Sequence, residues 1–268
     1  QGAEVYLEFP SVGATENLLL AGAMARGRTV IGNAAREPEI VDLATFLTKM
    51  GARVTGAGTS TIEVEGVPEL APADHRAVPD RLEAGTYLMA GAITGGEVTV
   101  VDCIPGHLRM ELRKLEEAGC EVVLGDGQIT LRGPARLRAV DFATLPYPGF
   151  HTDMHPQMVA VLALATGTSV MTENIYDARF RYVGELNRMG ADITTEGQHV
   201  VVRGVEALSG CPVEAWDIRA GAAVVLAGLA AEGMTTVAHA QHIDRGYQGL
   251  DTGLESLGAA IRREAVEG

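Results

Sequence analysis

The stretch AGAITGGEVTVVDCIPGHLRMELRKLEEAGCEVVLGDGQITLRGP, residues 90 to 134, contains two helix signals and three strand signals. An apolar helix is expected to end at Gly95, and a β-branched run from Val98 to Val101 predicts a strand. A second helix is expected to end at Gly119, and two alternating runs around Asp126-Gly127 predict a hairpin. The order of these signals predicts one mixed α/β unit.

The same order of elements recurs along the whole chain, in the segments Ala21 to Val67, Ala90 to Pro134, Ala160 to Val205, and Leu226 to the C-terminus. Glycines are expected to end every helix, because glycine accepts a left-handed C-terminal cap without a Cβ clash. The first helices are expected to end at Gly27, Gly95, Gly167 and Gly233, and the second at Gly51, Gly119, Gly190 and Gly258. A strand is expected before each first helix, and the fourth copy is expected to be cut short after Ile261. The sequence therefore predicts an α/β (α+β) protein of repeated βαβαββ units.

Each first helix is expected to begin at short polar residues, in the segments Ser11 to Thr15, Pro79 to Arg81, Thr152 to Met154, and Asp217 to Arg219. The simplest role for Asp80, Asp153 and Asp217 is helix capping, worth about 1 kcal/mol each. Repeated units packed about an axis also bring several helix N-termini to one place, where free N–H groups attract anions. The helix starts therefore predict an anion site in addition to caps.

Polar connections that follow each unit's first strand can reach the same place, and three of the four contain an arginine: Arg36, Arg179 and Arg245. Arginine binds phosphate and carboxylate through two parallel hydrogen bonds. Tyr176 and Tyr247 are expected to flank Arg179 and Arg245. The alternative for Arg36 is a solvated ion pair with the adjacent Glu37.

Composition restricts the classes of partner. The 268 residues include 47% hydrophobic residues and have a formal net charge of −14, which argues against a nucleic-acid partner. The longest apolar run, Ala220 to Ala231, is too short to span a membrane. With no secretory signal at its start, the chain is expected to be cytoplasmic. Cys103, Cys120 and Cys211 lack the spacing of a disulfide framework or zinc site, so no metal or other cofactor is expected.

Longer motifs resemble one family. The motifs are SVGATEN (11 to 17), NAAREPEIVDLATFL (33 to 47), PDRLEAGT (79 to 86), LPYPGFHTDM (145 to 154) and HIDRGY (242 to 247). The chain resembles the enolpyruvyltransferases, in their UDP-N-acetylglucosamine branch rather than their shikimate branch. The resemblance implies two lobes, each an inverted β/α prism of three βαβαββ units.

Only four of the six units implied by the resemblance are recognisable. Residues 1–68 are expected to be the last unit of an incomplete first lobe, and residues 69–268 the second lobe. The absent upstream part would hold a catalytic cysteine, so this chain alone is expected to be inactive. That N-terminal segment would then be its partner.

Functional residues are carried over by motif. For UDP-N-acetylglucosamine, the resemblance implies contacts from Ser11, Val12, Gly13, Asp153 and Ile175, with Asp153 as the catalytic group that takes a proton from the sugar 3-hydroxyl. For phosphoenolpyruvate, it implies Arg179, Arg219 and Arg245, with Asp217 as an acidic neighbour. His151 and His155-Pro156 depart from the family pattern, so the helix near Asp153 is expected to start differently.

The activity implied is transfer of the enolpyruvyl group of phosphoenolpyruvate to the 3-hydroxyl of UDP-N-acetylglucosamine. This is the first committed step of peptidoglycan precursor synthesis, and with it come roles in cell-wall biogenesis, cell shape and cell division. Two alternatives remain: a prism-fold fragment or sugar-nucleotide-binding module without turnover, and a shikimate-type enolpyruvyltransferase. Both substrates of the transfer implied by the resemblance are small molecules, and neither a nucleic acid nor a membrane is expected as a partner.

Overall fold

The structure is a computed structural model, and it describes residues 1–177 and 179–264. Its helices are α1 (Val12–Met24), α2 (Pro38–Lys49), α3 (Arg81–Thr94), α4 (Arg109–Glu117), α5 (His155–Leu162), α6 (Arg181–Arg188), α7 (Ile218–Ala230) and α8 (Leu250–Ser256). Short 3-10 turns cover Pro105–Leu108, Thr152–Met154 and Ala240–Arg245. The strands are β1 (Glu4–Tyr6), β2 (Arg28–Gly32), β3 (Arg53–Thr55), β4 (Thr61–Glu65), β5 (Glu97–Val101), β6 (Glu121–Gly125), β7 (Gln128–Arg132), β8 (Phe142–Ala143), β9 (Thr168–Thr172), β10 (Asp192–Glu196), β11 (His199–Arg203), β12 (Pro212–Glu214) and β13 (Thr236–Ala238).

The chain divides into two compact units. Unit 1 contains Gln1–Pro79 and Pro146–Pro148, and unit 2 contains Asp80–Leu145 and the chain from Gly149 onward. Each unit has its own hydrophobic core: one centres on Leu19, Ile31 and Ile62, and the other on α3, α5 and α7. The expected lobes, residues 1–68 and 69–268, stay a prediction.

The sheets repeat one pattern. In the order β1-β2-β4-β3, β1 is parallel to β2, and β4 is antiparallel to both β2 and β3. The order β8-β9-β11-β10 has the same directions. The fourth copy retains the parallel pair β12 and β13. The predicted βαβαββ order is therefore confirmed in the first and third copies.

The second copy departs from that order. Its sheet has three strands, β5-β7-β6, and the prediction of a strand before α3 is wrong, because residues 66–80 contain none. Pro68, Pro72 and Pro79 lie in this segment. Since proline has no N–H to donate to a ladder, the segment runs outside the sheet.

Glycines end the second helix of every copy as predicted. Each one lies two residues beyond the last helical residue and has a φ of 96° to 107°; they are Gly51, Gly119, Gly190 and Gly258. A residue with a Cβ is strained at such angles. These glycines stop α2, α4, α6 and α8 at equivalent places, which confirms the repeat.

The prediction that a glycine ends the first helix of each copy is confirmed only for α3. Gly95 is the left-handed cap of α3, but α1, α5 and α7 end at Met24, Leu162 and Ala230, before their glycines. Gly27, Gly167 and Gly233 instead have positive φ in the turns that lead to the next strand. The turn, rather than the helix end, requires glycine there.

Three buried helices form the centre of unit 2, where α3, α5 and α7 pack against one another. All residues of α5 are buried, as is α7 from Arg219 to Ala227. Their N-termini, at Asp80, Thr152 to His155 and Asp217, carry the polar residues of the site described next. In the described part of the chain, no helix is long and apolar enough to cross a membrane.

Candidate active site

Asp153 lies between two guanidinium groups. Its Oδ1 accepts a hydrogen bond from Nη1 of Arg179 at 2.6 Å, and its Oδ2 accepts one from Nε of Arg219 at 3.2 Å. The three side chains come from the turn before α5, the loop after β9 and the first turn of α7. The structure therefore brings together two of the three predicted arginines and the predicted catalytic aspartate.

The Asp153 carboxyl is strongly ionised in this arrangement. Burial raises its pKa, but the charges of Arg179 and Arg219 and the hydrogen bond from Arg179 outweigh burial and hold the pKa at about 2. A carboxylate with such a pKa is a weak base as long as both arginines face it. A ligand that took over the arginines would raise the pKa of Asp153.

Asp153 does not cap a helix, so the capping prediction for this residue is wrong. His151 is the cap: its Nδ1 accepts the N–H of Asp153 at 2.9 Å. The N–H of His151 donates to Oε1 of the buried Glu111, also at 2.9 Å. Burial, with the charge of Arg81, lowers the pKa of His151 to about 4, so its ring is neutral and its Nδ1 can accept. The Asp153 carboxylate is thus left for the arginines.

The helix that follows Asp153 begins after a short turn, and its difference from the family pattern stays a prediction. A 3-10 turn over Thr152–Met154 precedes α5, which begins at His155 with Pro156 in its first turn. Proline fits this position because its missing N–H has no helical partner there.

Arg219 is held by the start of α7 and by an aromatic ring. Asp217 caps α7, as predicted, by accepting the N–H groups of Arg219 and Ala220 at 2.8 Å. The guanidinium carbon of Arg219 lies 5.2 Å from the ring centre of Tyr247. Within the described chain, Nη1 of Arg219 is buried and has no hydrogen-bond acceptor. A buried donor in this state is costly and is available to a ligand.

Arg179 is also flanked by an aromatic ring, as predicted. Its guanidinium carbon lies 5.4 Å from the ring centre of Tyr176, and Nη1 makes a second, longer contact with Oγ1 of Thr152 at 3.3 Å. Ile175, in the same loop, is half-buried and donates its N–H to Glu173 at 2.7 Å. The loop therefore carries both a charged and an apolar side chain of the predicted site.

Arg245 is not brought to Asp153 by any contact. It is exposed at the end of a 3-10 turn, and Tyr247, expected to flank it, packs against Arg219 instead. The next residue, Gly246, lies so close to Arg219 that an added Cβ would sit 3.3 Å from Nη1. The backbone of Arg245 is thus adjacent to the site, and its role stays a prediction.

Ser11, Val12 and Gly13 form the start of α1 in unit 1. The Ser11 hydroxyl caps the helix by accepting the N–H of Ala14 at 3.3 Å, and Gly13 is exposed. In the same unit, Arg36 donates to the carbonyl of Tyr147 at 2.9 Å, so it is not a simple partner of Glu37. The capping prediction for Ser11 is confirmed, and its role in ligand binding stays a prediction.

Sequence reasoning missed three buried polar groups that support the site: Glu111, Gln157 and Glu173. Gln157 and Thr86 both bond the hydroxyl of Tyr247, at 3.1 and 2.9 Å. Glu173 accepts five hydrogen bonds. The only sequence signal was polarity within apolar surroundings, as at Gln157 inside α5. Within residues 1–177 and 179–264, no group of three or more His, Cys, Asp or Glu side chains could hold a metal ion.

The sequence is similar to one protein family and to named relatives within it. The family described as EPSP synthase (3-phosphoshikimate 1-carboxyvinyltransferase) matches residues 1–254. The chain is 56% identical over 263 residues to UDP-N-acetylglucosamine 1-carboxyvinyltransferase 1 of Symbiobacterium thermophilum, and 54% identical over 264 residues to UDP-N-acetylglucosamine 1-carboxyvinyltransferase 2 of Caldanaerobacter subterraneus. These matches cover 98% of the chain but only 60% and 63% of the relatives.

Two solved structures of enolpyruvyl transferases also match the fold of this chain. The enolpyruvyl transferase NikO from Streptomyces tendae matches with a TM-score of 0.88 and 28% identity, over 98% of this chain and 65% of that one. EPSP synthase from Acinetobacter baumannii matches with a TM-score of 0.75 over 98% of this chain and 64% of that one, and at 19% identity this likeness supports the fold alone.

Proposed function

The chain belongs to the EPSP synthase family, and on that premise we propose that its protein transfers the enolpyruvyl group of phosphoenolpyruvate to the 3-hydroxyl of UDP-N-acetylglucosamine. One observation carries the proposal: a carboxylate held between two buried or half-buried guanidiniums, Asp153 with Arg179 and Arg219, in a chain 56% identical to a protein named for this transfer. Two arginines and one carboxylate leave one net positive charge, which suits an anionic substrate.

Arg179 and Arg219 bind the carboxylate and phosphate of phosphoenolpyruvate. The buried, unbonded Nη1 of Arg219 supports this role, since it offers a donor that the described chain does not use. When the substrate engages the arginines, Asp153 loses their full attraction. Its pKa then rises from about 2 toward its ordinary value, and the carboxylate can accept the proton of the sugar hydroxyl.

The reaction is an addition followed by an elimination. The hydroxyl oxygen attacks C2 of phosphoenolpyruvate while C3 gains a proton, and phosphate then leaves C2 as C3 loses a proton. Cys120 and Cys103 are poor candidates for the acid that protonates C3. Cys120 is buried, with its pKa raised to about 11, and burial also raises the pKa of Cys103. We propose that a part of the protein outside these 268 residues supplies it.

Ser11, Val12 and Gly13 bind the uridine diphosphate moiety. The start of a 13-residue helix suits a pyrophosphate, because its N–H groups and dipole attract negative charge. Ile175 packs near the sugar nucleotide, and Arg245 and Asp217 complete the phosphoenolpyruvate site. The reaction belongs to peptidoglycan precursor synthesis in the cytoplasm, and through it to cell shape and division.

Phosphate release tests the function. In a chimera that joins the 268 residues to the part of the Symbiobacterium relative they do not cover, we expect release that requires both substrates. The 268-residue chain alone should release none. Asp153→Ala in the chimera should slow turnover at least about a hundredfold, because it removes a positioned base.

Three outcomes would contradict the proposal. Turnover by the chain alone would show that the acid lies within it, and near-normal turnover of Asp153→Ala would reduce Asp153 to a structural ion pair. Release with shikimate 3-phosphate in place of the sugar nucleotide would assign the other branch of the family. Asp141→Asn serves as the matched control, since Asp141 accepts the N–H of Val170 at 2.7 Å and contacts none of the site residues named above.

A further inference from the structure

Glu173 is a buried carboxylate that accepts five hydrogen bonds. Oε1 receives the hydroxyl of Thr144 at 2.6 Å and the N–H groups of Ile175 and Tyr176 at 2.7 and 3.0 Å. Oε2 receives the hydroxyl of Thr152 at 2.8 Å and Nδ1 of His155 at 2.6 Å. With a relative exposure of 2%, Glu173 has no access to bulk water, so all of its bonds are made to the protein.

The position is unlike its equivalents in the repeat. In the other three copies, the residue directly after the strand that follows the first helix (β2, β5 or β13) has a positive φ: Asn33 at 52°, Asp102 at 55° and His239 at 59°. Glu173, directly after β9, is not among the described residues with positive φ. In this copy the backbone takes another path, and the side chain of Glu173 holds the loop that follows.

The carboxylate connects two segments of the site. Through Ile175 and Tyr176 it holds the loop that carries Arg179, and through Thr152 and His155 it holds the turn that carries Asp153. The Thr152 hydroxyl donates to Glu173 and also accepts from Nη1 of Arg179 at 3.3 Å. One side chain thus fixes the separation of the loop and the turn whose side chains form the Asp153 to Arg179 ion pair.

The charges agree with this role. Burial raises the pKa of Glu173, but the hydrogen bonds from His155, Thr144 and Ile175 outweigh it and lower the pKa to about 2, so the carboxylate is ionised. Burial also lowers the pKa of His155, so the ring is neutral and donates through Nδ1. A neutral or apolar replacement at 173 leaves several of the five donors without an acceptor.

We propose that Glu173 is a positioning residue: it does not touch the substrate, but holds the Arg179 loop against the Asp153 turn so that both side chains meet phosphoenolpyruvate in the right geometry. The identity of the substrate, phosphoenolpyruvate, rests on the proposed function. The positioning of Arg179 by Glu173 does not depend on it. Misplacing a reacting group by about 1 Å can slow a reaction by about a hundredfold, so the effect on catalysis should be large.

The first test needs no turnover. In the 268-residue chain, the guanidinium NMR signals of Arg179 are assigned by their loss in Arg179→Lys. In the wild type, the ion pair with Asp153 should slow rotation of the guanidinium and keep its Nη signals separate. In Glu173→Ala the signals should merge. Leu131→Ala, a core change in β7, which carries none of the site residues, is the control for general destabilisation and should keep them separate.

The second test uses the active chimera, at a temperature where circular dichroism shows every variant folded. Glu173→Ala should lower kcat/KM for phosphoenolpyruvate by roughly tenfold or more, and Leu131→Ala should stay close to the wild type. Glu173→Gln should recover part of the loss, because its amide oxygen still accepts the N–H groups of Ile175 and Tyr176.

Separate Arg179 signals in a folded Glu173→Ala variant would overturn the positioning role, whatever the enzyme's substrates are. Equal losses of kcat/KM in Glu173→Ala and Leu131→Ala would also overturn it, since the effect would then be general destabilisation. If the chimera transfers no enolpyruvyl group, the proposed function fails, and the NMR result alone decides the role of Glu173.

Discussion

Oδ1 of Asp153 lies 2.6 Å from Nη1 of Arg179, although the two residues are 26 positions apart in the chain. The carboxylate and the guanidinium partly neutralise each other, and the second arginine, Arg219, leaves the group cationic. An anionic substrate can therefore displace Asp153 from the arginines and change its basicity in the same step.

Replacing Arg245 tests whether it completes the anion site. Its side chain is exposed, so Arg245→Ala should change the free energy of unfolding by less than about 0.5 kcal/mol. We expect KM for phosphoenolpyruvate in the chimera to rise at least about tenfold, because one charged hydrogen-bond partner of the substrate is lost. Steady-state kinetics with varied phosphoenolpyruvate measure this. An unchanged KM would mean that Arg245 is a solvated surface residue.

Asp217→Ser separates helix capping from a role beside the substrate. Serine also caps helices well, so stability in urea should stay within about 0.5 kcal/mol of the wild type, whereas Asp217→Ala should lose about 1 kcal/mol. If the acidic group acts near phosphoenolpyruvate, Asp217→Ser should still lower kcat/KM by about tenfold. Normal kinetics in Asp217→Ser would assign the residue to capping alone.

The stability of the chain should fall as the pH drops from about 6.5 to about 4. The pKa of His151 is lowered from 6.5 to about 4 by burial and by Arg81, against the opposing charge of Asp153. Between these values the unfolded chain binds more protons than the folded chain, so acid favours unfolding. With allowance for its partial exposure, His151 should account for about 2 kcal/mol of the loss.

His151→Asn is the matched variant for this prediction, since asparagine also accepts a capping N–H but does not titrate. Urea unfolding at pH 7, 5.5 and 4 should show a smaller loss in the variant. Some loss remains, because burial also lowers the pKa of His155. Equal losses in both proteins would show that His151 does not titrate in this range.

Two glycines should differ sharply when changed to alanine. An added Cβ at Gly204 would lie 1.6 Å from the carbonyl oxygen of Ala165, so Gly204→Ala requires the backbone to move and should cost more than about 3 kcal/mol. At Gly190, with φ of 96°, the Cβ meets nothing within 4 Å. Gly190→Ala should therefore cost only the strain of its φ, about 1–2 kcal/mol. Urea midpoints compare the two, and equal costs would contradict the close approach at Gly204.

Local sequence signals predicted much of the fold. The glycines after α2, α4, α6 and α8 were identified because positive φ is a property of a single residue. The caps at Ser11, Asp80 and Asp217 were identified because each side chain bonds an N–H only two or three positions ahead. The same reasoning failed at Asp153, where His151 took the capping bond. It also failed before α3, where prolines prevented a strand.

By itself, then, the sequence determined the repeat, the helix ends and the residue types available to the site, because these depend on spacing and on the conformation of neighbouring residues. The tertiary structure alone decided which side chains meet. Arg219 reaches Asp153 across 66 positions, and Glu173 meets Thr144 across 29. Tyr247 packs on Arg219 rather than on Arg245. Such contacts depend on how α3, α5 and α7 pack, and no local pattern specifies the distances between their ends.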